Sequence, residues 1–271
     1  MGDLKKGAWR ANEDFPHDRT GHYVRSDAPF RNWVTATREP GPTGAGGFKA
    51  EPGRYHLIVS LACPWAHRTL IFRKLKGLEG KVSLSVVNWL FAERGWTFDP
   101  APGVVPDPIY GAKRLREFYL KARPDFSGRV TVPVLWDRQT STIVNNGVYR
   151  AGFATSQEAY EEAFRALFET LDMLEARLAG QRFLCGERLT EADWRLFTTL
   201  IRFDRVYFGH FKCNLREIRD YPALSRYLKE LYRWPGVAET VDFFHIKHHY
   251  YASHLRINPT GIVPLGPEME L

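Results

Sequence analysis

The feature that most constrains the fold is a strand, a helix and a second strand that follow one another within residues 55–87. Tyr55–Leu61 is a short apolar run with β-branched residues, which predicts a strand. Pro64 suits the first turn of a helix, where a missing N–H has little effect, and Gly77 is a typical helix end. Val82–Val87 alternates and predicts the second strand. Together these segments indicate a small α/β domain.

Two further strands extend this domain. Val130–Trp136 has a strand pattern that Pro133 interrupts, and Thr142–Val144 follows after a polar turn. A proline cannot donate a hydrogen bond to a strand ladder, so Pro133 belongs at a sheet edge or a special bend. The turn between the two runs predicts a hairpin. A short helix near Leu115–Lys121 is expected before them.

From Thr155 onwards the pattern is helical. The spacings Thr155-x-x-Glu158 and Thr190-x-x-Asp193 both have the form of a capping box at a helix N-terminus. Helices are predicted from Thr155 to Gly180, from Thr190 to Tyr207 and over Leu224–Trp234. We therefore divide the chain into an N-terminal arm (1–54), an α/β domain (55–146), a helical domain (147–256) and an irregular tail (257–271).

Composition and charge exclude several functions. The 271 residues carry a net charge of +7, but Lys and Arg are scattered rather than clustered, so we expect no nucleic-acid site. No run of about 18 apolar residues occurs, so no membrane span is expected, and the first residues do not resemble a secretory signal. Three cysteines without a Cys-x-x-Cys pair favour free thiols in a reducing compartment, the cytoplasm.

Cys63 is the residue that points to chemistry. It lies between a strand and a helix, where the helix dipole and free N–H groups lower the pKa of a thiol and make it more nucleophilic. The alternative is a small, buried, apolar cysteine. Cys185 and Cys213 match no catalytic pattern and are expected to be structural. His245 and His249 have the i, i+4 spacing of a metal pair, but no further ligand pattern accompanies them and we expect no metal.

Longer stretches of sequence resemble a known family. Val132 and Pro133 resemble the cis-proline turn of the thioredoxin superfamily, and a Cys-Pro helix start before an all-helical second half resembles a cytosolic glutathione transferase. The stretches that resemble the glutathionyl-hydroquinone reductases, the xi class of these enzymes, are Ser60–Arg68, Gly95–Phe98, Arg129–Asp137, Asn146–Ala154 and His245–His254, followed by Ile257–Pro259 and Ile262–Pro264. The resemblance covers nearly the whole chain.

This resemblance implies a fold and a reaction. The fold is α/β plus all-α, a thioredoxin-like N-terminal domain followed by a helical glutathione-transferase C-terminal domain. The reaction is the glutathione-dependent reduction of glutathionyl-hydroquinones. Cys63 attacks the glutathione sulfur, the hydroquinone leaves, and a second glutathione releases the mixed disulfide as glutathione disulfide. Glutathione is the co-substrate, no metal takes part, and the protein is a homodimer that binds glutathionylated aromatic molecules.

The resemblance also implies roles for individual residues. Tyr149 donates a proton to the aromatic ring. Tyr207 and Tyr250 stabilise the thiolate, because a phenol O–H that donates to a thiolate favours its charged form; ordinary half-buried tyrosines are the alternative. The residues that match the glutathione site are Trp96, Arg129, Val130, Thr131 and Val132. Arg129 is suited to pair with a glutathione carboxylate, and a solvated arginine at a strand end is the alternative.

The chain departs from the family at one point. The family has a Glu-Ser pair after the Thr-Ile-Val-Asn strand, and this pair holds the γ-glutamyl end of glutathione at a helix N-terminus. Here Asn146 is followed directly by Gly147, so the third helix of the first domain is missing. Either the protein carries a true deletion or a segment is missing from the sequence. Two alternative functions follow: thiol transfer or dehydroascorbate reduction of the omega type, and a non-catalytic binding protein weakened by the lost anchor.

Overall fold

The computed structural model describes residues 2–11, 17–22, 24, 29–42, 44, 46–145 and 153–271, with the backbone alone at 144 and 145. The chain forms two compact units. The first comprises Met1–Asp14 and Ser26–Gly147, and the second comprises Phe15–Arg25 and Val148–Leu271. Most of the arm predicted at 1–54 therefore belongs to the first unit, whereas one short stretch of it belongs to the second.

The N-terminal arm contains short strands where the sequence predicts irregular structure. They are β1 (Asp3–Lys5), β2 (Ala8–Arg10), β3 (Trp33–Thr35) and β4 (Gly47–Lys49). β1 and β2 form an antiparallel hairpin, and β3 and β4 pair in parallel. A strand of three residues is too short to show an alternating pattern, so the sequence alone does not reveal these elements.

The elements that follow have the predicted α/β order. They are β5 (Tyr55–Val59), α1 (Pro64–Leu75), β6 (Val82–Val86), α2 (Arg116–Ala122), β7 (Gly128–Arg129), β8 (Val134–Asp137) and β9 (Thr142–Asn145). Four of the strands form one sheet in the order β6-β5-β8-β9, in which β5 is parallel to β6 and antiparallel to β8. The prediction of one strand over Val130–Trp136 is wrong, because β8 begins only after Pro133, which offers no N–H to the ladder.

The two faces of this sheet carry different apolar clusters. Leu57 and Val59 of β5 pack with Ala66 and Leu70 of α1 on one face. Ile58 belongs to a second cluster, because alternate strand residues point to opposite faces. The fully buried aromatic side chains of this second cluster are Phe118, Tyr119, Phe126 and Trp136. Phe118 and Tyr119 belong to α2, so α1 and α2 cover opposite faces of the sheet.

The second unit is helical. Its elements are α3 (Gln157–Ala179), α4 (Glu191–Arg202), α5 (Phe208–His210), α6 (Pro222–Tyr232) and α7 (Phe243–Ser253). A π-helical turn over Phe203–Tyr207 joins α4 to α5, so the segment predicted as one helix to Tyr207 changes its hydrogen-bond pattern near Arg202. Within the part of the chain that the structure describes, no helix is both long and apolar enough to cross a membrane.

The structure contains one of the two predicted capping boxes as expected and corrects the other. At the start of α4 the Asp193 carboxylate accepts a hydrogen bond from the Thr190 N–H at 2.7 Å. At α3 the prediction is wrong by one residue, because the Ser156 hydroxyl accepts from the N–H of the third helical residue. The Thr155 hydroxyl instead donates to the carbonyl of Gly21, a tertiary partner that the local sequence does not reveal.

Candidate active site

Cys63 occupies the N-cap position of α1, as the sequence predicts. Pro64 starts the helix, and the carbonyl of Cys63 accepts the first helical hydrogen bond from the N–H of His67 at 2.9 Å. The Cys63 side chain is half-buried, whereas Cys185 is exposed and Cys213 is buried. Burial raises the pKa of the Cys213 thiol to about 12, which disfavours its thiolate. Of the three thiols, Cys63 alone combines partial access with a helix N-terminus.

The segment before Pro133 lies beside this thiol. The peptide bond between Val132 and Pro133 is cis, in line with the predicted resemblance. The Cys63 thiol donates to the Val132 carbonyl oxygen, with Sγ 3.6 Å from the oxygen. Residues 69 positions apart in sequence therefore meet at one point. The thiol is therefore next to main-chain groups of the segment between β7 and β8, and such groups can bind a peptide through hydrogen bonds.

Tyr119 holds the segment before Pro133 in place, a role that the sequence does not reveal. Its hydroxyl donates to the Thr131 carbonyl at 2.9 Å and accepts from the Thr131 N–H at 3.2 Å. Tyr119 is fully buried on α2. In the sequence it is one aromatic residue in an apolar helical stretch, and nothing there distinguishes it from an ordinary core residue. The backbone of Thr131 is thus fixed by a side chain, and its neighbours Val130 and Val132 are fixed with it.

Trp96, Val130 and Val132 share one apolar cluster, and Cys63 packs against that cluster. Trp96 is 8% exposed and lies edge-to-face on Phe91, with ring centroids 4.8 Å apart. Arg129 lies on β7 directly before Val130. The first unit therefore brings the predicted nucleophile and the predicted glutathione-binding residues into one region of the fold.

Tyr207 and Tyr250 meet in the second unit. Their hydroxyl oxygens are 3.4 Å apart, and their rings are arranged edge-to-face with centroids 5.8 Å apart. Tyr207 ends the π-helical turn and Tyr250 lies on α7. They are 7% and 2% exposed, so they are not the half-buried surface tyrosines of the alternative interpretation. Two phenol O–H groups thus converge at a single point.

A buried histidine pair lies next to these tyrosines. His210 Nε2 and His254 Nδ1 are 3.2 Å apart. The His254 ring packs edge-to-face against Tyr250 at 5.4 Å, and Phe211 stacks on Tyr207 at 5.3 Å. Burial lowers the pKa of His210 to about 4 and that of His254 well below its ordinary value. Both imidazoles are therefore neutral at pH 7.

The structure leaves the predicted position of Tyr149 untested. Tyr149, the predicted proton donor, lies outside the described residues, as do both sides of the junction between Asn146 and Gly147. For the metal question, the side chains of the described ranges include no group of three or more His, Cys, Asp or Glu residues that could hold an ion.

Family models match both halves of the chain. The model described as "Glutathione S-transferase, N-terminal domain" matches residues 62–150. The model described as "Glutathione S-transferase, C-terminal domain" matches residues 157–230. The order of the two matches is that of the α/β unit and the helical unit.

Two similar proteins are named for the same activity. The chain is 49% identical to "Glutathionyl-hydroquinone reductase YqjG" of Escherichia coli, over 100% of this chain and 97% of that protein. It is 46% identical to "Glutathionyl-hydroquinone reductase PcpF" of Sphingobium chlorophenolicum, over 100% and 98%. Among solved structures, a Xi class transferase from Natrialba magadii has a TM-score of 0.88 at 42% identity and covers 100% of this chain and 94% of its own. The glutathione-bound structure of YqjG has a TM-score of 0.85 at 50% identity, covering 89% and 94%.

The alignment lengths show that this chain is shorter inside than its relatives. The comparison with YqjG spans 317 positions and includes all 271 residues of this chain, so 46 positions (317 − 271) have a counterpart only in YqjG. The same difference with PcpF is 45 positions (316 − 271). A shortfall of this size matches the loss of a helix and its connections that the sequence predicts. Identity over the full length in two reductases, Xi-class structural neighbours and both domain models together show that the chain belongs to the glutathionyl-hydroquinone reductases, the Xi class of the glutathione S-transferase family.

Proposed function

We propose that this protein reduces glutathionyl-hydroquinones to hydroquinones, with glutathione as the reductant and Cys63 as the nucleophile. The observation that carries the proposal is the contact between the half-buried Cys63 thiol and the Val132 carbonyl, at 3.6 Å. This contact lies in a chain that matches two proteins named as such reductases along its whole length. The position of the thiol at a helix N-terminus favours the thiolate that the reaction needs.

The first step forms one bond and breaks another. The Cys63 thiolate attacks the sulfur that links glutathione to the aromatic ring, and the carbon–sulfur bond breaks. The electron pair of that bond remains on the ring carbon, which takes up a proton. The products are a hydroquinone and a mixed disulfide between Cys63 and glutathione.

The second step regenerates the enzyme. The thiolate of a second glutathione attacks the glutathione sulfur of the mixed disulfide, and the Cys63 thiolate leaves. Glutathione disulfide is released. In balance, two electrons pass from two glutathione sulfurs to the ring. No other cysteine is required, which agrees with the absence of a Cys-x-x-Cys pair from the sequence.

We propose that the first unit binds glutathione. The backbone of Val130–Val132 would hold its cysteinyl part beside Cys63, and Tyr119 would keep that backbone in place. Arg129 would pair with a glutathione carboxylate. Trp96 would pack against the peptide, since it shares the cluster on which Cys63 lies.

We propose Tyr207 and Tyr250 as the phenol groups that stabilise the thiolate, and Tyr149 as the proton donor to the ring. Support for the first two is the convergence of their hydroxyls at 3.4 Å in a buried environment. Support for Tyr149 is its match to the family sequence alone. A phenol is a suitable donor to a ring carbon at neutral pH, because its ordinary pKa of about 10 keeps it protonated.

We also propose that the protein is a homodimer, binds glutathionylated aromatic molecules and works in the cytoplasm. The compartment is supported by Cys63, Cys185 and Cys213, none of which forms a disulfide. Free thiols, of which one is exposed, are typical of a reducing environment.

A second candidate function is a non-catalytic binding protein. The 46 positions by which the alignment with YqjG exceeds this chain favour it, because the residues expected to hold the γ-glutamyl end of glutathione belong to the missing segment. A third candidate is thiol transfer or dehydroascorbate reduction of the omega type, which needs Cys63 and glutathione but no proton donor to a ring.

One experiment separates the three functions. The intact mass of the protein is measured before and after incubation with a glutathionyl-hydroquinone in the absence of free glutathione, with Cys63→Ala and Cys185→Ala as variants. The reductase gains one glutathione and releases one hydroquinone in the parent and in Cys185→Ala, but not in Cys63→Ala. A protein that gains nothing from this substrate but gains one glutathione from a small mixed disulfide is a thiol transferase. A protein that gains glutathione from neither substrate is the non-catalytic binding protein.

A further inference from the structure

The N-terminal hairpin of β1 and β2 contacts the predicted glutathione site at two separate places. The first place is β7. The sheet order is β2-β1-β7, with Asp3 opposite Arg129 and Leu4 opposite Gly128 in antiparallel register. Two hydrogen bonds extend the pairing: the Gly7 N–H donates to the Phe126 carbonyl at 3.0 Å, and the N–H of the preceding residue donates to the Ser127 hydroxyl at 2.8 Å. The strand that carries Arg129 is therefore paired with β1.

The second place is the turn before Trp96. The indole Nε1 of Trp9, on β2, donates to the Glu93 carbonyl at 2.8 Å. The Trp9 ring lies directly against Gly95, where an added Cβ would come within 2.7 Å of the ring. Gly95 has φ +71°, and its N–H closes the turn onto the Ala92 carbonyl at 2.9 Å. A side chain at position 95 would meet both an unfavourable backbone conformation and the indole ring.

The hairpin itself is rigidly built. Arg10 forms two hydrogen bonds at 3.0 Å to the two carboxylate oxygens of Asp3, across the hairpin. Leu4 is 1% exposed and belongs to the same apolar cluster as Trp96 and Val130. The Arg116 guanidinium stacks over the Trp9 ring at 4.7 Å. The pair of Arg10 and Asp3 holds the two strands together, whereas the contacts of Leu4 and Trp9 limit the movement of the hairpin relative to the segments that it touches.

We infer that the hairpin Asp3–Arg10 is a positioning element for glutathione, in which β1 fixes Arg129 and Trp9 fixes the turn that presents Trp96. This inference rests on the proposed function for the role of Arg129 and Trp96. The arm is thus part of the binding machinery of the first unit.

A positioning role and a purely structural role of the hairpin predict different kinetic effects. Cys63 is the N-cap residue of α1, and the hydrogen bonds of the hairpin described above involve other segments of the unit. Loosening the hairpin therefore weakens the binding of glutathione and leaves the chemistry at the thiol intact. The Michaelis constant for the glutathionyl-hydroquinone rises, since its glutathionyl part occupies this site in the first step. The value of kcat changes little, because the lost contacts stabilise the bound substrate and the transition state equally.

The test uses the full chain with Trp9→Ala, Trp9→Phe and Trp33→Ala. Trp33 is the matched control, because it is an exposed tryptophan of the same arm, on β3. Two properties are measured: amide hydrogen exchange in peptides that cover 92–97 and 126–132, and the steady-state constants for a glutathionyl-hydroquinone at saturating glutathione. Trp9→Ala is expected to speed exchange in both peptides and to raise the Michaelis constant about tenfold with kcat within about twofold. Trp9→Phe keeps a ring but loses the bond to Glu93, so both effects are smaller, and Trp33→Ala shows neither.

The amide hydrogen exchange measurement tests the inference independently of any reaction with glutathione. Unchanged exchange in both peptides of Trp9→Ala overturns it, and so does faster exchange combined with an unchanged Michaelis constant. If Trp9→Ala does not fold, unchanged exchange at 92–97 in Trp9→Phe overturns it. Failure of the proposed function looks different, since the parent protein itself then shows no turnover while the exchange comparison between parent and variants still stands.

Discussion

The Tyr119 hydroxyl forms hydrogen bonds with both main-chain polar groups of Thr131. The hydroxyl donates to the Thr131 carbonyl at 2.9 Å and accepts from the Thr131 N–H at 3.2 Å, so one side-chain atom satisfies two main-chain groups. The next residue, Val132, offers its carbonyl to the Cys63 thiol. The position of the backbone beside the nucleophile therefore depends on a buried phenol of α2.

Removal of that hydroxyl should weaken glutathione binding. In Tyr119→Phe the Thr131 N–H and carbonyl lose their partner, and an unsatisfied buried group costs about 1–3 kcal/mol. We expect a lower free energy of unfolding and a Michaelis constant for the glutathionyl-hydroquinone raised about tenfold, since the glutathionyl part of this substrate lies against the segment that Tyr119 holds. The matched control is Tyr55→Phe, since Tyr55 is also buried and its hydroxyl donates to the Lys49 carbonyl at 2.6 Å, on β4. That variant should lose stability without a change in the Michaelis constant. Equal Michaelis constants in the two variants would show that Tyr119 does not shape the site.

The two converging phenols should act as a unit. We expect Tyr207→Phe and Tyr250→Phe each to lower kcat/KM about tenfold or more, since each removes an O–H that favours the thiolate. Their hydroxyl oxygens are 3.4 Å apart, and residues in contact give non-additive effects. The double variant should therefore lose less than the product of the two single losses. Each assay needs a thermal melt beside it, because Tyr207 and Tyr250 are buried. Strict additivity, or full activity in either single variant, would contradict a shared role.

Sequence patterns predict those parts of the fold whose causes are local. The β5–α1–β6 unit follows from a strand run, a proline at the helix start and a second alternating run, and the structure contains all three. The cap of α4 follows from the spacing of Thr190 and Asp193, since both partners lie within one turn.

Features with distant partners escape such patterns. Thr155 has the local signature of a cap, but its hydroxyl bonds to Gly21, and Ser156 takes the cap position. Tyr119 reads as a core residue because its partner Thr131 becomes a neighbour only in the fold. The meeting of Cys63 with Val132 is predicted by family resemblance and not by periodicity, because residues 69 apart share no local signal.

A buried ion pair joins the residue before β5 to the last residue of β8. This pair should be essential for the stability of the α/β sheet. Arg54, just before β5, donates through Nε and Nη2 to the two carboxylate oxygens of Asp137 at 2.8 and 2.7 Å. Thr140 also donates to this carboxylate at 2.6 Å, which ties the turn between β8 and β9 to the pair. Burial alone would raise the pKa of Asp137, but these hydrogen bonds outweigh it, and the pKa is lowered.

Asp137→Ala removes both hydrogen bonds between this carboxylate and the buried Arg54 guanidinium, which keeps its ion pair with the partly exposed Glu51 at 3.0 Å. We expect a loss of about 3–5 kcal/mol in the free energy of unfolding, measured by urea denaturation. The matched control is Glu161→Ala, which breaks an exposed pair with Arg165 on α3 and should change stability by less than about 0.5 kcal/mol. If the two variants lose similar amounts, the pair in the sheet contributes no more than a surface pair.

Buried histidines should make the protein less stable as the pH falls below about 6.5. His56 is fully buried, with its ring nitrogens 2.7 and 2.9 Å from the hydroxyls of Ser83 and Ser85. Burial lowers the pKa of His56 to about 4, as it does for His210, and it also lowers the pKa of His254 well below its ordinary value. Each histidine binds a proton more readily in the unfolded chain, so its contribution to stability is present above the unfolded pKa of about 6.5 and is lost as the pH falls toward the folded value.

Asp204 acts in the opposite direction and provides the control. Burial raises its pKa to about 6, although the N–H groups of Ile218 and Arg219 donate to its carboxylate and partly offset the shift. Its contribution is present at low pH and is lost as the pH rises through 6. Urea denaturation between pH 4 and 7 should therefore give a shallower fall in stability for His56→Asn than for the parent protein, and a steeper fall for Asp204→Asn. Parallel curves for all three proteins would mean that protons bound at His56 and Asp204 do not govern unfolding in this range.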